Sequence, residues 1–278
     1  MHNLRVILLL GALSALFLLV GFAFGGQTGM IVALVFALAM NIGSYWFSDT
    51  MVIKMTRAQP VSPQQAPALY AMVERLAQKA GLPTPRLFIV PDPQPNAFAT
   101  GRNPERGVVA VNQGLLDLLS EREIEGVIAH EIAHIRFRDT RTMTVVAALA
   151  SATMTLVQFG GFFGASRDDD DGGGNPLLAI ALLVLAPLTA MLVQAGISRE
   201  REFEADAEAA RLHGTPDGLI RALEKLHYGA ERIPSATARP ATAHLNIVNP
   251  LAGQRLAGLF STHPPVEARV EALRRLAR

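Results

Sequence analysis

The chain contains four long apolar runs separated by more polar segments, and the first two lie near the amino terminus. Val6–Phe24 holds about 19 residues, which as a helix would cover the roughly 30 Å of a membrane's hydrocarbon core. A glycine-rich turn, Gly25–Gly29, separates it from a second run, Met30–Phe47. This pattern predicts a transmembrane helical hairpin. A cleaved signal peptide is the alternative for the first run because Arg5 provides a basic head, but the second run follows almost at once and favours a retained anchor.

Two further apolar runs, Met143–Phe163 and Pro176–Ile197, are also long enough to span a membrane. The first carries several Thr, Ser and Gln side chains, so a hairpin buried in protein is the competing interpretation. Basic residues flank the runs on one predicted side, and the positive-inside rule assigns that side to the cytoplasm. These residues are Lys54, Arg57, Arg136, Arg138, Arg141, Arg199 and Arg201.

Outside these runs, the periodicity of hydrophobic residues is that of a mainly helical α+β domain. Apolar positions three and four apart predict a helix over Pro67–Ala80, and Ser120 with Glu123 forms a capping box that begins another helix. The remaining predicted elements are strands at Arg86–Val90 and Gly107–Val111, an extended piece at Asn96–Gly101, a short helix from Gln113, helices at Ser198–His213, Thr215–Tyr228 and Pro265–Ala277, and mostly loop over Gly229–Ser261.

Composition narrows the classes of protein that this chain can belong to. Half of the residues are hydrophobic and only 18% are charged, which is more apolar than an ordinary soluble enzyme. The net charge of +1 gives no indication of a nucleic-acid partner. The chain has no Cys, which excludes disulfides, thiolate zinc ligands and cysteine nucleophiles. Any metal ion must therefore be held by His and carboxylate side chains.

The strongest chemical signal is a His-Glu-x-x-His motif inside the helix that the capping box begins. His130 and His134 are four residues apart, so both imidazoles leave the same face of a helix. Two imidazoles at this spacing can bind one zinc ion, and Glu131 projects beside them as the general base for a zinc-activated water. The apolar residues around the motif argue against a solvated helix surface, because buried polar groups need partners.

A catalytic zinc ion needs a third protein ligand and an open position. The segment Arg199–Asp206 is the densest source of carboxylates after the His pair, and a membrane hairpin between the two would bring them to the same side. Spacing leaves two faces open, because Glu202 and Asp206 are four residues apart and so are Glu200 and Glu204. Neighbouring alanines slightly favour the face that carries Glu202. A charged helix with surface ion pairs is the alternative interpretation.

In combination, these motifs resemble the HtpX family of bacterial membrane-bound zinc endopeptidases, which are related to the CAAX prenyl proteases. The resemblance covers essentially the whole chain, and it implies that Glu202, the first residue of the family's Glu-Phe-x-Ala-Asp pattern, is the third zinc ligand. It also implies that Asp206 supports a ligating histidine from the outer shell. The segments that carry the resemblance are His130-Glu131-Ile132-Ala133-His134, Glu202-Phe203-Glu204-Ala205-Asp206 and Ser261-Thr262-His263-Pro264-Pro265.

The same resemblance gives roles to residues whose spacing alone carries little information. It implies that His263 stabilises the oxyanion of the tetrahedral intermediate and that Arg269 supports it. Without the resemblance, His263 would be interpreted as a histidine in a surface turn. The segment Asn96-Ala97-Phe98-Ala99 matches a family segment that pairs with extended substrate through its backbone, a mode of binding with little sequence selectivity.

The predicted fold is an α-helical integral membrane protein of about four transmembrane helices with a mainly α, α+β gluzincin-like zinc protease domain. We expect a transmembrane hairpin at 1–48, a first cytoplasmic catalytic part at 49–139, a second hairpin at 140–197 and a second catalytic part at 198–278.

The resemblance also implies a biological role. It implies one zinc ion per subunit and cleavage of misfolded or damaged membrane proteins, or other unfolded polypeptides, at the cytoplasmic face of the bacterial inner membrane. The expected context is protein quality control under stress, in the lipid bilayer and alongside other membrane quality-control proteases. The alternatives are a non-catalytic membrane scaffold with a structural zinc ion and a zinc hydrolase of prenylated peptides or lipids.

Overall fold

The computed structural model describes residues 2–144, 199–233, 247 and 264–277. The helices in these ranges are α1 (His2–Met55), α2 (Pro67–Ala80), α3 (Gln113–Leu118), α4 (Glu121–Arg136), α5 (Arg199–His213), α6 (Asp217–Arg232) and α7 (Val266–Leu276). The strands are β1 (Gln59–Pro60), β2 (Arg86–Val90), β3 (Ala97–Thr100) and β4 (Val108–Asn112). Further helical residues occupy 139–144.

The first helix, α1, is broken into two arms that pack against each other. Gly25 and Gly26 have non-helical backbone angles, and the φ of Gly26 is +56°. Beyond this break the arms come so close that a Cβ added at Gly29 would lie 2.1 Å from the carbonyl oxygen of Gly21. The break coincides with the first two residues of the predicted Gly25–Gly29 turn.

The membrane spans themselves stay predictions. Among the described residues, none of the helices combines the length and the apolarity that crossing a membrane requires. Apart from residues 143 and 144, the predicted runs Met143–Phe163 and Pro176–Ile197 lie outside the described part of the chain.

The four strands form one sheet in the order β1-β2-β4-β3. β2 and β4 are parallel, whereas β3 runs antiparallel to β4 and lies at the edge of the sheet. Val and Ile favour this extended, half-buried setting and supply much of β2 and β4. The strand predicted at Arg86–Val90 is confirmed, the one predicted at Gly107–Val111 lies at Val108–Asn112, and the extended piece at Asn96–Gly101 contains β3.

The predicted helices are found with small changes at their ends. α2 has the predicted bounds and ends at Gly81, whose φ of +71° provides the left-handed cap. The capping box of Ser120 and Glu123 is present at the start of α4. α6 continues past the predicted end at Tyr228 to Arg232, and the remainder of the predicted loop is outside the described residues except for Ile233 and Ile247.

Helix α4 is the centre of the fold and contacts α2, α5, α6 and β3. Every side chain from Val127 to Ile135 is buried, including the polar ones. Gly126 permits the approach to α6, because a Cβ there would lie 2.5 Å from the backbone nitrogen of Leu219. Among the described helices, the one that carries the His pair is the most buried.

Candidate metal centre

Helix α4 places both motif histidines and the motif glutamate in the interior. His130, Glu131 and His134 are 1%, 2% and 3% exposed. The Nε2 atoms of the two histidines are 3.1 Å apart. Because the residues are one helical turn apart on a rigid, buried helix, their side chains converge without any contribution from a loop.

Helix α5 brings a carboxylate to the same point. Glu202 is fully buried, with Oε2 3.7 Å from Nε2 of His130 and Oε1 3.5 Å from Nε2 of His134. Glu200 and Glu204 are exposed on the opposite side of the helix. Of the two helix faces that the spacing left open, the one with Glu202 and Asp206 thus faces the histidines.

The three groups fit a zinc ion in both chemistry and spacing. Ligand atoms about 2.0–2.1 Å from a tetrahedral zinc ion lie about 3.4 Å from one another. The two Nε2 atoms are 3.1 Å apart, and the carboxylate of Glu202 reaches them with Oε2 at 3.7 Å from His130 and Oε1 at 3.5 Å from His134, so the three side chains form a triangle of about that size. His130, His134 and Glu202 also form the group of metal-ligating side chains found within the described residues. Two imidazoles and one carboxylate are a typical donor set of a catalytic zinc site, which keeps its fourth position open for water or substrate.

Each histidine has a carboxylate close to its Nδ1 atom, on the far side of the ring from Nε2. Oδ1 of Asp206 lies 3.0 Å from Nδ1 of His130, and Oδ2 of Asp139 lies 3.2 Å from Nδ1 of His134. Hydrogen bonds at Nδ1 leave both Nε2 atoms directed at the triangle. Asp139 was missed by sequence reasoning, because it lies beyond the end of α4, where helical periodicity gives no information.

Arg269 of α7 joins this network by binding Asp206. It is fully buried and donates two hydrogen bonds to Asp206, from Nε at 2.8 Å and from Nη2 at 2.7 Å. Burial alone would raise the pKa of Asp206, but the charge and hydrogen bonds of Arg269 lower it to about 2. Asp206 is therefore an anion at every physiological pH and can accept the Nδ1 hydrogen of His130.

The two histidines have opposite pKa shifts. Burial lowers the pKa of His130 to about 4, so this imidazole is neutral, as a ligand must be. Burial also acts to lower the pKa of His134, but the hydrogen bond to Asp139 and the charges of Glu202 and Glu131 raise it to about 9. Without a metal ion, His134 therefore keeps a proton near neutral pH, and metal binding must release it.

Glu131 has the environment of a general base. Burial, reinforced by the negative charge of Glu202, raises the pKa of its carboxyl to about 7, although the charge of His134 acts to lower it. The backbone of Ala99 also hydrogen-bonds to this carboxyl group. Glu131 therefore lies beside β3, and its pKa is close to neutral pH.

The segment predicted to bind substrate forms β3 and the residue before it. Among the described strands, β3 has a neighbour on one side only, β4. Near its start, Ile247 donates its backbone N–H to the carbonyl of Ala97 at 3.2 Å and to Oδ1 of Asn96 at 3.1 Å. Of the predicted segment Asn96-Ala97-Phe98-Ala99, the backbone of Ala99 is the part that contacts Glu131. His263 lies outside the described residues.

Comparison with known proteins agrees with this geometry. The model of peptidase family M48 matches residues 63–277. The chain is 53% identical to a "Protease HtpX homolog" of Pelotomaculum thermopropionicum over 281 aligned residues, covering 100% of both chains. It is 50% identical over 275 residues to a protein of the same name from Ralstonia pickettii, covering 98% of this chain and 96% of the relative.

A solved structure has a similar fold. The crystal structure of S. mikatae Ste24p superposes with a TM-score of 0.53 at 21% identity and covers 95% of this chain. The present chain spans 62% of the length of that protein. The full-length matches to HtpX homologues confirm the resemblance that the motifs indicated. The chain therefore belongs to peptidase family M48, within it to the HtpX proteases, and is a zinc metalloprotease.

Proposed function

We propose that this metalloprotease is an endopeptidase anchored in the bacterial inner membrane, where it cleaves misfolded or damaged membrane proteins at their cytoplasmic segments. The observation that carries the endopeptidase activity is the buried triangle of His130, His134 and Glu202 with Glu131 beside an edge strand. A structural zinc site is closed by four protein ligands and needs no general base, so a non-catalytic scaffold does not account for Glu131.

In this proposal the chain divides the reaction among a few side chains. His130 and His134 would hold zinc through Nε2, and Glu202 would hold it through its carboxylate. Zinc held by these residues would supply Lewis acidity, which would polarise the scissile carbonyl and lower the pKa of water toward neutrality. Glu131 accepts the proton of the attacking water and delivers it to the leaving amine, and its raised pKa suits both transfers.

Substrate binding is assigned to β3. An extended polypeptide would pair with the backbone of the segment Asn96–Ala99, which ends beside the carboxyl group of Glu131. Recognition through the backbone gives affinity with little sequence selectivity, as suits an enzyme that cleaves unfolded polypeptides. By family likeness, His263 donates a hydrogen bond to the oxyanion, supported by Arg269.

The membrane location is supported by the surface of α1. Large apolar side chains on this hairpin are exposed, among them Leu19 at 69%, Val35 at 64% and Phe47 at 64%. A hairpin with this surface suits a lipid environment better than water. The basic residues that flank the apolar runs favour a cytoplasmic protease domain. The role in stress-related quality control, alongside other membrane proteases, follows from the family likeness.

Zinc content and proteolysis of the purified full-length protein test this function. Glu131→Gln is expected to keep its zinc and lose cleavage of casein and of a membrane-protein reporter by about 100-fold or more. Glu202→Ala is expected to lose zinc and activity together. Glu200→Ala, an exposed change two residues away, is the matched control and should retain both.

Three results would contradict the proposal. Equal zinc content in the wild type and Glu202→Ala would refute the ligand assignment. Chelator-resistant cleavage, or cleavage retained by Glu131→Gln, would refute the mechanism. Prenylated and unmodified peptides assayed side by side separate a general endopeptidase from an enzyme for prenylated substrates, because only the latter requires the lipid group.

A further inference from the structure

Asp139 is buried at the edge of the zinc triangle, just past the end of α4. It is 5% exposed and uses both carboxylate oxygens. Oδ2 lies 3.2 Å from Nδ1 of His134, and Oδ1 forms an ion pair with Nε of Arg201. A carboxylate buried to this extent is costly unless such partners compensate for its lost hydration.

Arg201 also holds the turn that delivers Asp139. Its Nη2 donates to the carbonyl of Phe137 at 3.3 Å, and its guanidinium carbon lies 5.8 Å from the centroid of the Phe137 ring. Between Phe137 and Asp139, Arg138 has a φ of +62°, a left-handed conformation that a non-glycine residue rarely adopts. Contacts from Arg201 to both sides of Arg138 stabilise this turn.

We propose that Asp139 and Arg201 form a positioning pair for the zinc site. Asp139 accepts the Nδ1 hydrogen of His134 and so keeps the Nε2 lone pair directed at the metal. Arg201 fixes Asp139 and, because it directly precedes Glu202, ties the helix that supplies the third ligand to the helix that supplies the histidines. This inference rests on the zinc site of the proposed function.

The position of the pair distinguishes it from the support given to His130. Asp206 is held by Arg269 of α7, whereas Asp139 is held by a residue of α5, the helix that carries Glu202. Loss of the Asp139 pair should therefore disturb the orientation of His134 and the distance between the two ligand-bearing helices. Partners of this kind typically change metal affinity by about 10- to 100-fold.

The test uses Asp139→Asn, Asp139→Glu and Arg201→Gln in the full-length chain. Arg136→Gln is the matched control, because Arg136 also joins α4 to α5 but does so through an ion pair with Glu208. Competition of metal-free protein with a chromophoric chelator gives the zinc dissociation constant. Casein cleavage at saturating zinc gives kcat and KM, and thermal unfolding of the metal-free protein reports folding.

We expect Asp139→Asn to weaken zinc binding by about 10- to 100-fold and Arg201→Gln by a smaller factor. Asp139→Glu should recover part of the loss, and Arg136→Gln should bind zinc like the wild type. At saturating zinc, kcat should fall while KM stays within about twofold, because the pair does not contact β3. In the double variant Asp139→Asn/Arg201→Gln, the loss should equal that of Asp139→Asn alone.

Wild-type zinc affinity in both Asp139→Asn and Arg201→Gln would overturn the inference, as would additive losses in the double variant. If Arg136→Gln lost as much zinc affinity as the Asp139 and Arg201 variants, the general packing of α4 against α5, and not this pair, would set the zinc affinity. If Asp139→Asn does not fold, Arg201→Gln carries the same test from a side chain that is 24% exposed. Failure of the wild type to bind zinc would instead refute the proposed function.

Discussion

Arg269 shows how much of this site depends on one buried charge. Its side chain is fully buried, forms two hydrogen bonds to Asp206 and lies 3.7 Å from Glu202. It also donates to the carbonyl of Ile247 at 3.0 Å, next to the edge strand. A single guanidinium therefore connects the residue behind His130, the third metal ligand and the segment beside β3.

Arg269→Met is expected to lower the free energy of unfolding by about 3–5 kcal/mol, because it leaves the carboxylate of Asp206 buried without its counter-ion. The double variant Asp206→Asn/Arg269→Met removes both charges and should recover part of that loss. Chemical unfolding of the metal-free protein in detergent, followed by circular dichroism, measures both. If the double variant were as destabilised as Arg269→Met or more so, the unpaired charge of Asp206 would not be the cause.

At the scale of residues, the sequence identifies the His-Glu-x-x-His motif more reliably than it identifies the third metal ligand. His130, Glu131 and His134 are identified by a local spacing that a helix converts directly into geometry. Glu202 could not be separated from Glu200 by spacing, because both have a carboxylate four residues further on. The choice depends on which face of α5 packs against α4, and that is a property of the tertiary structure.

At the scale of elements, the first turn of α4 is stabilised by two contacts of Glu123. Oε2 of Glu123 accepts the backbone N–H of Ser120 at 2.8 Å and the Nζ of Lys225 from α6, also at 2.8 Å. Burial acts to raise the pKa of Glu123, but these bonds outweigh it and the pKa is lowered. The capping box therefore also links the first turn of the zinc-site helix to α6.

Glu123→Ala is expected to cost about 1 kcal/mol of stability at neutral pH, the usual value of a lost cap. Because the folded pKa lies below that of the unfolded chain, the contribution of Glu123 is complete above about pH 4.5 and is lost as the pH falls through its folded pKa. Urea unfolding at pH 7 and pH 4 should therefore show a smaller difference between wild type and variant at pH 4.

The control for this prediction is Glu121→Ala, an exposed acid in the same helical turn. It should lose only the few tenths of a kcal/mol expected from the helix dipole. Equal losses in the two variants, or a difference that grows in acid, would contradict the assigned role of Glu123.

The elements themselves were largely predictable, whereas their arrangement was not. α2, β2 and the start of α4 have clear local signals: apolar periodicity, a glycine stop and a capping box. β1 has two residues and is defined only by its pairing with β2, so no local pattern reveals it. The parallel pairing of β2 with β4, which leaves β3 at the edge beside Glu131, depends on contacts that are distant in sequence.

At the scale of the whole molecule, the hairpin is connected to the protease domain through two arginines. Nη2 of Arg86, at the start of β2, lies 3.2 Å from Oδ2 of Asp49. The guanidinium carbon of Arg102, which follows β3, lies 4.3 Å from the centroid of the Trp46 ring. The carboxyl-terminal end of the hairpin, at Trp46 and Asp49, is the base of the hairpin, and it contacts a residue just beyond β3. This proximity to the strand that we assign to substrate binding suits substrates that emerge from a membrane.

If α1 is a membrane anchor, Trp46 should lie at the level of the lipid headgroups, where tryptophan concentrates in membrane proteins. It is the only tryptophan of the chain and is 52% exposed, so its fluorescence reports on this one position. In vesicles of brominated lipids, bromine atoms near the headgroups should quench its emission more than bromine atoms at the bilayer centre. Trp46→Phe should abolish the signal, and the protein in detergent without brominated lipid should show no quenching.

The depth of quenching separates the anchor from its alternatives. A hairpin that crosses the bilayer holds Trp46, near its carboxyl end, at the interface, because the preceding apolar arm from Met30 is long enough to reach the other side. A hairpin that packs only against protein keeps Trp46 away from lipid, and no brominated lipid would then quench it. Equal quenching at all depths would mean that the base of the hairpin is not held at the membrane surface, which would contradict a fixed cytoplasmic position of the neighbouring strand β3.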